Sequence, residues 1–382
     1  MKVKSFLIAS ALVLAVAISI ISPVPYLYGA RRSFIGRFTT ISAGTSTVPA
    51  NGDVNPYGVA IVRRTMGNLV RDHVLVSNFN NNANLQGTGT TITDIAPDGT
   101  AKVFAQLNPA DLTNICPDGI GLTTALVALR SGWVIVGSLP TTDGSASTAK
   151  GGCLLVLNSM GEAVESIGGD AINGPWDMTA VESDAWAVLF VSNVLNGTVA
   201  ENGATVDHGT VVRIALQLNE VEMPVVTATT VIASGFPERT DPAALVIGPT
   251  GLGFGSNGIL YVADTLNNRI AAISDALSRS TDAGIGETLS SGGALNAPLG
   301  LAMAPNGDVL TVNGNDGNLV EITPKGDQND FRNVDTTGIG AGTLFGLAIA
   351  PGNQGVYFVN DGDNTLRLLD GHPAPRGRED RP

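Results

Sequence analysis

The side chains of this chain best suited to chemistry are Asp and Asn residues placed at the two ends of short apolar runs. Ahead of such runs stand Asn55, Asp118, Asn173, Asp241 and Asn296, and behind others stand Asn78, Ser138, Asn193, Asp264 and Asp361. If the runs are strands that go down and back in pairs, the start of one and the end of the next meet on one face. Amide and carboxylate oxygens gathered there suit a hard cation such as Ca2+, which takes six to eight oxygen ligands. Asn55, Asp118, Asn173, Asp241 and Asp264 are the candidate metal ligands, and Asn78, Ser138, Asn193 and Asp361 the candidate ligand-binding set. The competing structural reading is that strand-end Asp and Asn accept hydrogen bonds from the next turn. Catalytic groups are sparse. Of the three histidines, His73, His208 and His372, only His208 beside Asp207 offers an acid–base pair, and a lone loop histidine is more often a bystander. No nucleophile elbow of the GxSxG type occurs, and the two cysteines lack the neighbouring histidines of a zinc site.

The elements that must position these residues are legible as a repeat. The stretch 253–273, GFGSNGILYVADTLNNRIAAI, holds a Ser-Asn-Gly turn, a β-branched and aromatic run, a polar stop at Asp264 and a second run after an Asn-rich loop. Alternating runs separated by Asn/Gly turns are antiparallel hairpins. The phrase recurs in six units. A first apolar strand, often led by Pro, begins at Pro56, Thr124, Pro175, Pro242, Pro298 and Leu344. A second ends at Asn78, Ser138, Asn193, Asp264, Gly314 and Asp361, and third and fourth strands follow. Six units of about four strands predict an all-β fold, a six-bladed β-propeller of four-stranded antiparallel blades. A linear stack would need capping repeats at its ends. The last unit lacks an outer strand, and residues 37–42 (RFTTIS) are the spare strand predicted to close the ring and remove its free edge.

PLGLAMAPNGDVLTV and GFGSNGILYVADTLNNRI resemble NHL repeats, and the six-blade count is similar to that of the regucalcin/gluconolactonase group and of secreted NHL proteins. The resemblance spans about residues 37–371 and is strongest in the last three units. It implies a calcium-dependent lactonase or hydrolase with its site at the channel mouth. In that group calcium is held by a first-blade glutamate and by Asn/Asn/Asp around the channel. Asp118 in Pro-Asp-Gly and Asn173 in Asn-Gly resemble the group's phrases, but in reverse chain order, and no glutamate occurs between residues 31 and 161.

Composition sets the outer bounds. The chain of 382 residues carries 21 Lys and Arg against 34 Asp and Glu, a net charge of −13, which excludes a nucleic-acid-binding surface built on clustered cations. Lys2 and Lys4 precede an apolar run from Phe6 to Ile21, so residues 1–30 are expected to be an export signal or, uncleaved, a membrane anchor. Residues 31–371 are the expected propeller, and 372–382 a disordered charged tail. Export makes a Cys116–Cys153 disulfide and two separately buried thiols equally open. The loops joining second and third strands are long and polar in blades 1–3, at 79–90, 139–152 and 194–209. Loops on a rigid scaffold are where binding residues gather. The function expected is therefore an exported, periplasmic or extracellular binding or scaffolding module. Its partner would be a protein or a small polar or carbohydrate ligand on that face, and membrane contact would come only through the N-terminal segment. The calcium-dependent lactonase is the alternative. Arg63, Arg64 and Arg71 form a basic cluster on the opposite face, read as a solvated loop or as a contact for anionic lipid or a partner.

Overall fold

Short runs of Val, Ile, Leu, Phe and Tyr interrupted by Gly and Asn turns pair with their sequence neighbours, because tight turns leave no other partner within reach. In the computed structural model, which describes residues 33–219 and 222–371, they form six antiparallel sheets. Blade 1 comprises Val54–Ile61, Val74–Asn80, Thr91–Ile95 and Ala101–Gln106. Blade 2 follows as Leu122–Ala128, Val134–Ser138, Cys153–Leu157 and Ala163–Ile167, and blade 3 as Pro175–Glu182, Trp186–Asn193, Val206–Gln217 and Val225–Asp241. Blade 4 is Pro249–Phe254, Leu260–Asp264, Arg269–Ile273 and Glu287–Ser291. Blade 5 is Pro298–Met303, Val309–Asn313, Asn318–Ile322 and Gln328–Asn333, and blade 6 is Leu344–Ile349, Gly355–Asn360 and Thr365–Asp370. The first strand of each blade contacts that of the next, and the sixth returns to the first, so the ring closes. The expected six-bladed propeller is the fold.

Closure uses the N-terminal strand as expected. Thr40 and Ile41 pair with Asp370 and Leu369, and Thr45 and Ser46 with Leu366 and Thr365. The segment is anchored further by burial of Phe34, Ile35 and Phe38. Glu321 of blade 5 accepts hydrogen bonds from the Phe34 and Ile35 amides at 2.7 and 2.8 Å and from Ser33 Oγ at 2.7 Å. Burial pushes the Glu321 carboxyl up, but these bonds and one with Asp308 outweigh it and hold it below the usual range.

The core lies between blades rather than in one centre. Tyr261, Ala263 and Ile270 of blade 4 pack on Leu301, Val309 and Val320 of blade 5, and similar layers separate the other blades. Around the axis the first strands of blades 4, 5 and 6 come so close to the next strand that no side chain fits at one position, Gly251, Gly300 and Gly346. A Cβ on Gly300 would stand 2.0 Å from the Phe345 carbonyl oxygen, and one on Gly346 2.2 Å from that of Tyr57. The same register position is Gly58 in blade 1, Asp177 in blade 3 and Gly251 in blade 4.

Readings of the repeat are corrected in blades 4, 5 and 6; in blade 5 the second strand ends at Asn313, paired with Pro298, and not at Gly314. The first strand of blade 4 is Pro249–Phe254, not the run beginning at Pro242. Residues 242–247 belong to an inserted hairpin in which Arg239–Asp241 pairs with Leu245–Ile247. Its Pro-led apolar composition imitates a first strand, whereas the true strand holds the glycines that axial crowding demands. In blade 6 the residue equivalent to Asn78, Asn193 and Asp264 is Asn360, paired with Leu344, so Asp361 lies one step beyond the register. Cys116 and Cys153 form a disulfide, tying the segment before blade 2 to that blade's third strand.

The export segment, His372 and the charged tail lie outside the described residues.

Candidate functional site

The long loops of blades 1–3 do lie on the face where first strands begin, but the channel beneath them is filled. Tyr57 stacks on Phe79 at 4.6 Å and on Phe345 at 4.0 Å between ring centres, with Trp176 6.4 Å away. Leu245 and Val246 of the inserted hairpin are buried in the same cluster. The remaining void lined by Tyr57, Phe79, Trp176 and Leu245 is about 10 Å³, no more than one water's worth.

Above this plug the loops interlock. Thr141 of blade 2 donates its amide to Gly87 O at 2.9 Å and its hydroxyl to Gln86 O at 2.6 Å, both on the blade 1 loop. Gln86 Nε2 donates to Pro242 O of the hairpin at 3.3 Å, and the Asn196 amide of the blade 3 loop donates to Glu238 Oε1 at 2.8 Å. Three loops and one hairpin thus make one continuous cap.

The sequence-derived polar residues are engaged largely as turn and strand-end partners. Asp241 Oδ1 accepts from the Ala243 and Ala244 amides while Oδ2 meets Arg239 at 3.2 Å. Asn173 donates to Leu195 O and its amide donates to Asn193 Oδ1. Asn296 repeats that pattern with Asn313 and also donates to Asp316. Ser138 Oγ bridges Gly119 O and the Gly121 amide, and Asn78 donates to Thr47 O. Asp264 is fully buried against Arg269 Nε at 2.8 Å, whereas Asp118 is exposed. Among the described residues no three His, Cys, Asp or Glu side chains gather closely enough to hold a metal, so Asp118, Asp241 and Asp264 do not share a site. His208 is exposed and its Nδ1 lies 3.0 Å from Asn196 O, and Asp207 is exposed beside it.

One pair of the predicted residues does come together. With its amide nitrogen turned towards the carboxylate, Asn55 donates to Asp361 Oδ1 at 2.8 Å and accepts from Asn80 at 3.1 Å. Burial raises the Asp361 carboxyl to about 7. Burial, and then the nearby Asp361 charge, pushes the Tyr57 phenol well above its ordinary value.

On the opposite face the channel is open, which the repeat alone did not reveal. A cavity of about 470 Å³ runs inward between the first strands of all six blades. At its inner end Asp177, 7% exposed, accepts from the Leu252 amide at 2.8 Å, stitching blade 3 to blade 4. Burial lifts its carboxyl to about 7. Aligning Pro-Trp-Asp of blade 3 with Pro-Tyr-Gly and Pro-Leu-Gly of blades 1 and 5 is the sequence signal that could have singled it out.

These shifts predict a pH dependence. Asp177, Glu238 and Asp361 all have folded pKa values raised to about 7 by burial. Their contribution is complete below the unfolded carboxylate range and is lost as pH rises through about 7. Thermal melting is therefore expected at higher temperature at pH 5 than at pH 8. Asp177→Asn keeps the acceptor for Leu252 and removes the buried charge. It should raise stability at pH 8 by up to about 4 kcal/mol, the equivalent of a three-unit shift, and flatten the profile. A variant that melts lower at pH 8 would show that the charged form is needed.

No family model matches the chain, and no curated protein matches it at a significant level. Solved structures do share the fold. Regucalcin from Agrobacterium tumefaciens, described as a calcium-binding protein, aligns at 11% identity and a TM-score of 0.54 over 86% of this chain and 93% of that one. A luciferin-regenerating enzyme aligns at 11% identity and 0.53 over 87% and 95% of the two chains. A gluconolactonase from Xanthomonas campestris aligns at 14% identity and 0.50 over 83% and 87%. At these identities the likeness is one of fold, that of the regucalcin/gluconolactonase-like six-bladed propellers.

Proposed function

We propose that this propeller is an exported binding module whose recognition surface is the cap formed by the long loops of blades 1–3. One observation carries the reading: over a filled channel the blade 1 and blade 2 loops are bonded to each other, the blade 1 loop to the inserted hairpin, and the blade 3 loop to Glu238 on the strand leading into that hairpin. A preformed surface binds without the entropic cost of ordering its loops. The ligand fitted to such a polar, preformed surface is a protein or a small polar or carbohydrate molecule, reached outside the inner membrane.

The test replaces Thr141–Lys150 by a Gly/Ser linker and compares capture of cross-linked partners from the native source, together with a glycan array. Capture should fall while the melting temperature stays within a few degrees. Equal capture by both proteins would remove the cap from consideration.

The calcium-dependent lactonase reading is favoured by one feature, the Asn55–Asp361–Tyr57 cluster at the plugged mouth, where burial raises the Asp361 carboxyl to about 7. The binding-module reading predicts that millimolar calcium leaves the melting temperature unchanged and that gluconolactone is not hydrolysed. Calcium-dependent turnover abolished by Asp361→Asn would decide for the enzyme.

A further inference from the structure

The open end of the channel is a site that the cap does not use. Its cavity of about 470 Å³ falls within the range of small-molecule sites, ~300–1,000 Å³. Its walls are backbone as much as side chain. Each first strand is the terminal strand of its sheet, so the edge turned to the axis carries N–H and C=O groups that no neighbouring strand takes up. Such a wall suits hydroxyl groups, which both donate and accept hydrogen bonds.

One side chain breaks the pattern of the axis. At the position where blades 1, 4, 5 and 6 carry Gly58, Gly251, Gly300 and Gly346, blade 3 carries Asp177. Glycine suffices to build the ring there, whereas a carboxylate taken out of water is costly unless it is paired. Asp177 is 7% exposed, and what acts on its carboxyl is burial and the amides of Leu252 and Met178, with no cation. Joining the blades does not require it, since the equivalent amide of blade 5, Leu301 N, lies against Gly251. The other charged residues lining the cavity are Arg63 and Glu182 at the rim, which are opposite in sign and attract each other. The Arg130 amide donates to Glu182 Oε2 at 2.9 Å, which fixes that carboxylate at the rim. Among the described residues Asp177 is thus the lining charge left without a counter-charge, and it sits at the closed end, beneath the aromatic plug.

We infer that the channel binds a small polyhydroxylated amine, its ammonium group paired with Asp177 and its hydroxyls bonded to the inner edges of the first strands. The ammonium supplies the counter-charge that the buried carboxylate lacks, and the hydroxyls replace water along the strand edges. The ligand enters from the face opposite the cap, so the site is independent of the binding surface proposed above.

Isothermal titration calorimetry of the full chain at pH 8 tests the assignment with glucamine and sorbitol, which differ only in an ammonium in place of one hydroxyl. At that pH the Asp177 carboxyl, raised by burial to about 7, is mostly ionised. Glucamine should bind about tenfold more tightly than sorbitol, the advantage of a charge-assisted hydrogen bond over a neutral one. Asp177→Asn should weaken glucamine to the level of sorbitol. In thermal melts glucamine should stabilise the unmodified protein and leave Asp177→Asn unchanged. Ala302→Phe, on the channel wall, should weaken both ligands, whereas the Gly/Ser replacement of Thr141–Lys150 in the cap should affect neither. Absence of glucamine binding overturns the inference, as does equal affinity for glucamine and sorbitol. Glucamine binding that survives Asp177→Asn or Ala302→Phe overturns it too, by placing the ligand elsewhere. Displacement of glucamine by ammonium chloride or calcium chloride at equal concentration would reduce Asp177 to a site for small inorganic ions and likewise overturn it.

Discussion

A chain that begins at residue 49, lacking the closing segment, is expected not to fold cooperatively at room temperature. The deletion removes both pairings with Thr365–Asp370 and uncovers the outer edge of blade 6. It also removes Phe34, Ile35 and Phe38, each at most 4% exposed. Three such side chains are worth about 1.5–3 kcal/mol each, a sum of the order of the entire stability of a typical domain. Further losses fall on blade 1, because Thr47 O accepts hydrogen bonds from Asn78 and Thr93. Residues 33–48 therefore hold together blades 5, 6 and 1. Circular dichroism melting of the truncated and full exported forms is the direct comparison. Glu321→Gln is the graded version: it keeps the bulk but weakens the bonds to the Phe34 and Ile35 amides, and should lower the melting temperature by several degrees. Because the folded Glu321 pKa is depressed, its contribution is present above the unfolded carboxylate range and is lost as pH falls through the folded value. A truncated protein that melts with the full one would falsify the closure argument.

The second large effect is expected at Arg269. Its guanidinium donates to Asp264 Oδ2 at 2.8 Å, to Thr288 Oγ1 at 2.8 Å and to Ile285 O at 2.7 Å, with 7% of the residue exposed. Asp264 is fully buried; Asn267 also donates to Oδ2, and Oδ1 has no hydrogen-bond partner. Removing the arginine strands a buried carboxylate, which costs about 3–5 kcal/mol. Arg269→Ala should therefore lower the denaturation midpoint far more than a surface arginine change such as Arg71→Ala, at a side chain 70% exposed. Arg269→Lys should recover little, since an ammonium cannot reproduce the three-way fork. The paired change Asp264→Leu with Arg269→Met should recover most of the loss, because replacing both charges leaves neither stranded. Chemical denaturation of the unmodified protein, Asp264→Leu, Arg269→Met and the pair gives the coupling energy. An additive pair would show that the two side chains do not depend on each other. The same measurement addresses the metal question, since a carboxylate committed to Arg269 is a poor calcium ligand.

How much of this was legible beforehand follows from the range over which each force acts. Hairpins are local, so alternating runs such as Leu260–Asp264 and Arg269–Ile273 announced their own pairing, and six repetitions of them fixed the ring. The missing outer strand of blade 6 was legible for the same reason, as a count that did not close. The contents of the channel mouth were not legible. Pro242–Ile247 has the composition of a first strand, and only the steric demand for glycine at the axis, met by Gly251 and not by that run, assigns it to a hairpin over the mouth. The Asp and Asn residues were found correctly at strand ends. Whether they faced a shared ion or their own turns depended on neighbours brought from other blades, and Asp264 met Arg269 while Asp241 met Arg239. The sequence by itself determined most of the strands and their order, because hairpin contacts join adjacent segments, and it showed the closure between Thr40–Ile41 and Leu369–Asp370 only as one strand missing from the count of blade 6. The tertiary structure alone decided which end of the channel is open and which charges meet there. Arg63, Arg130 and Glu182 lie far apart in the chain, and only the packing of blades 1, 2 and 3 around the axis sets them side by side.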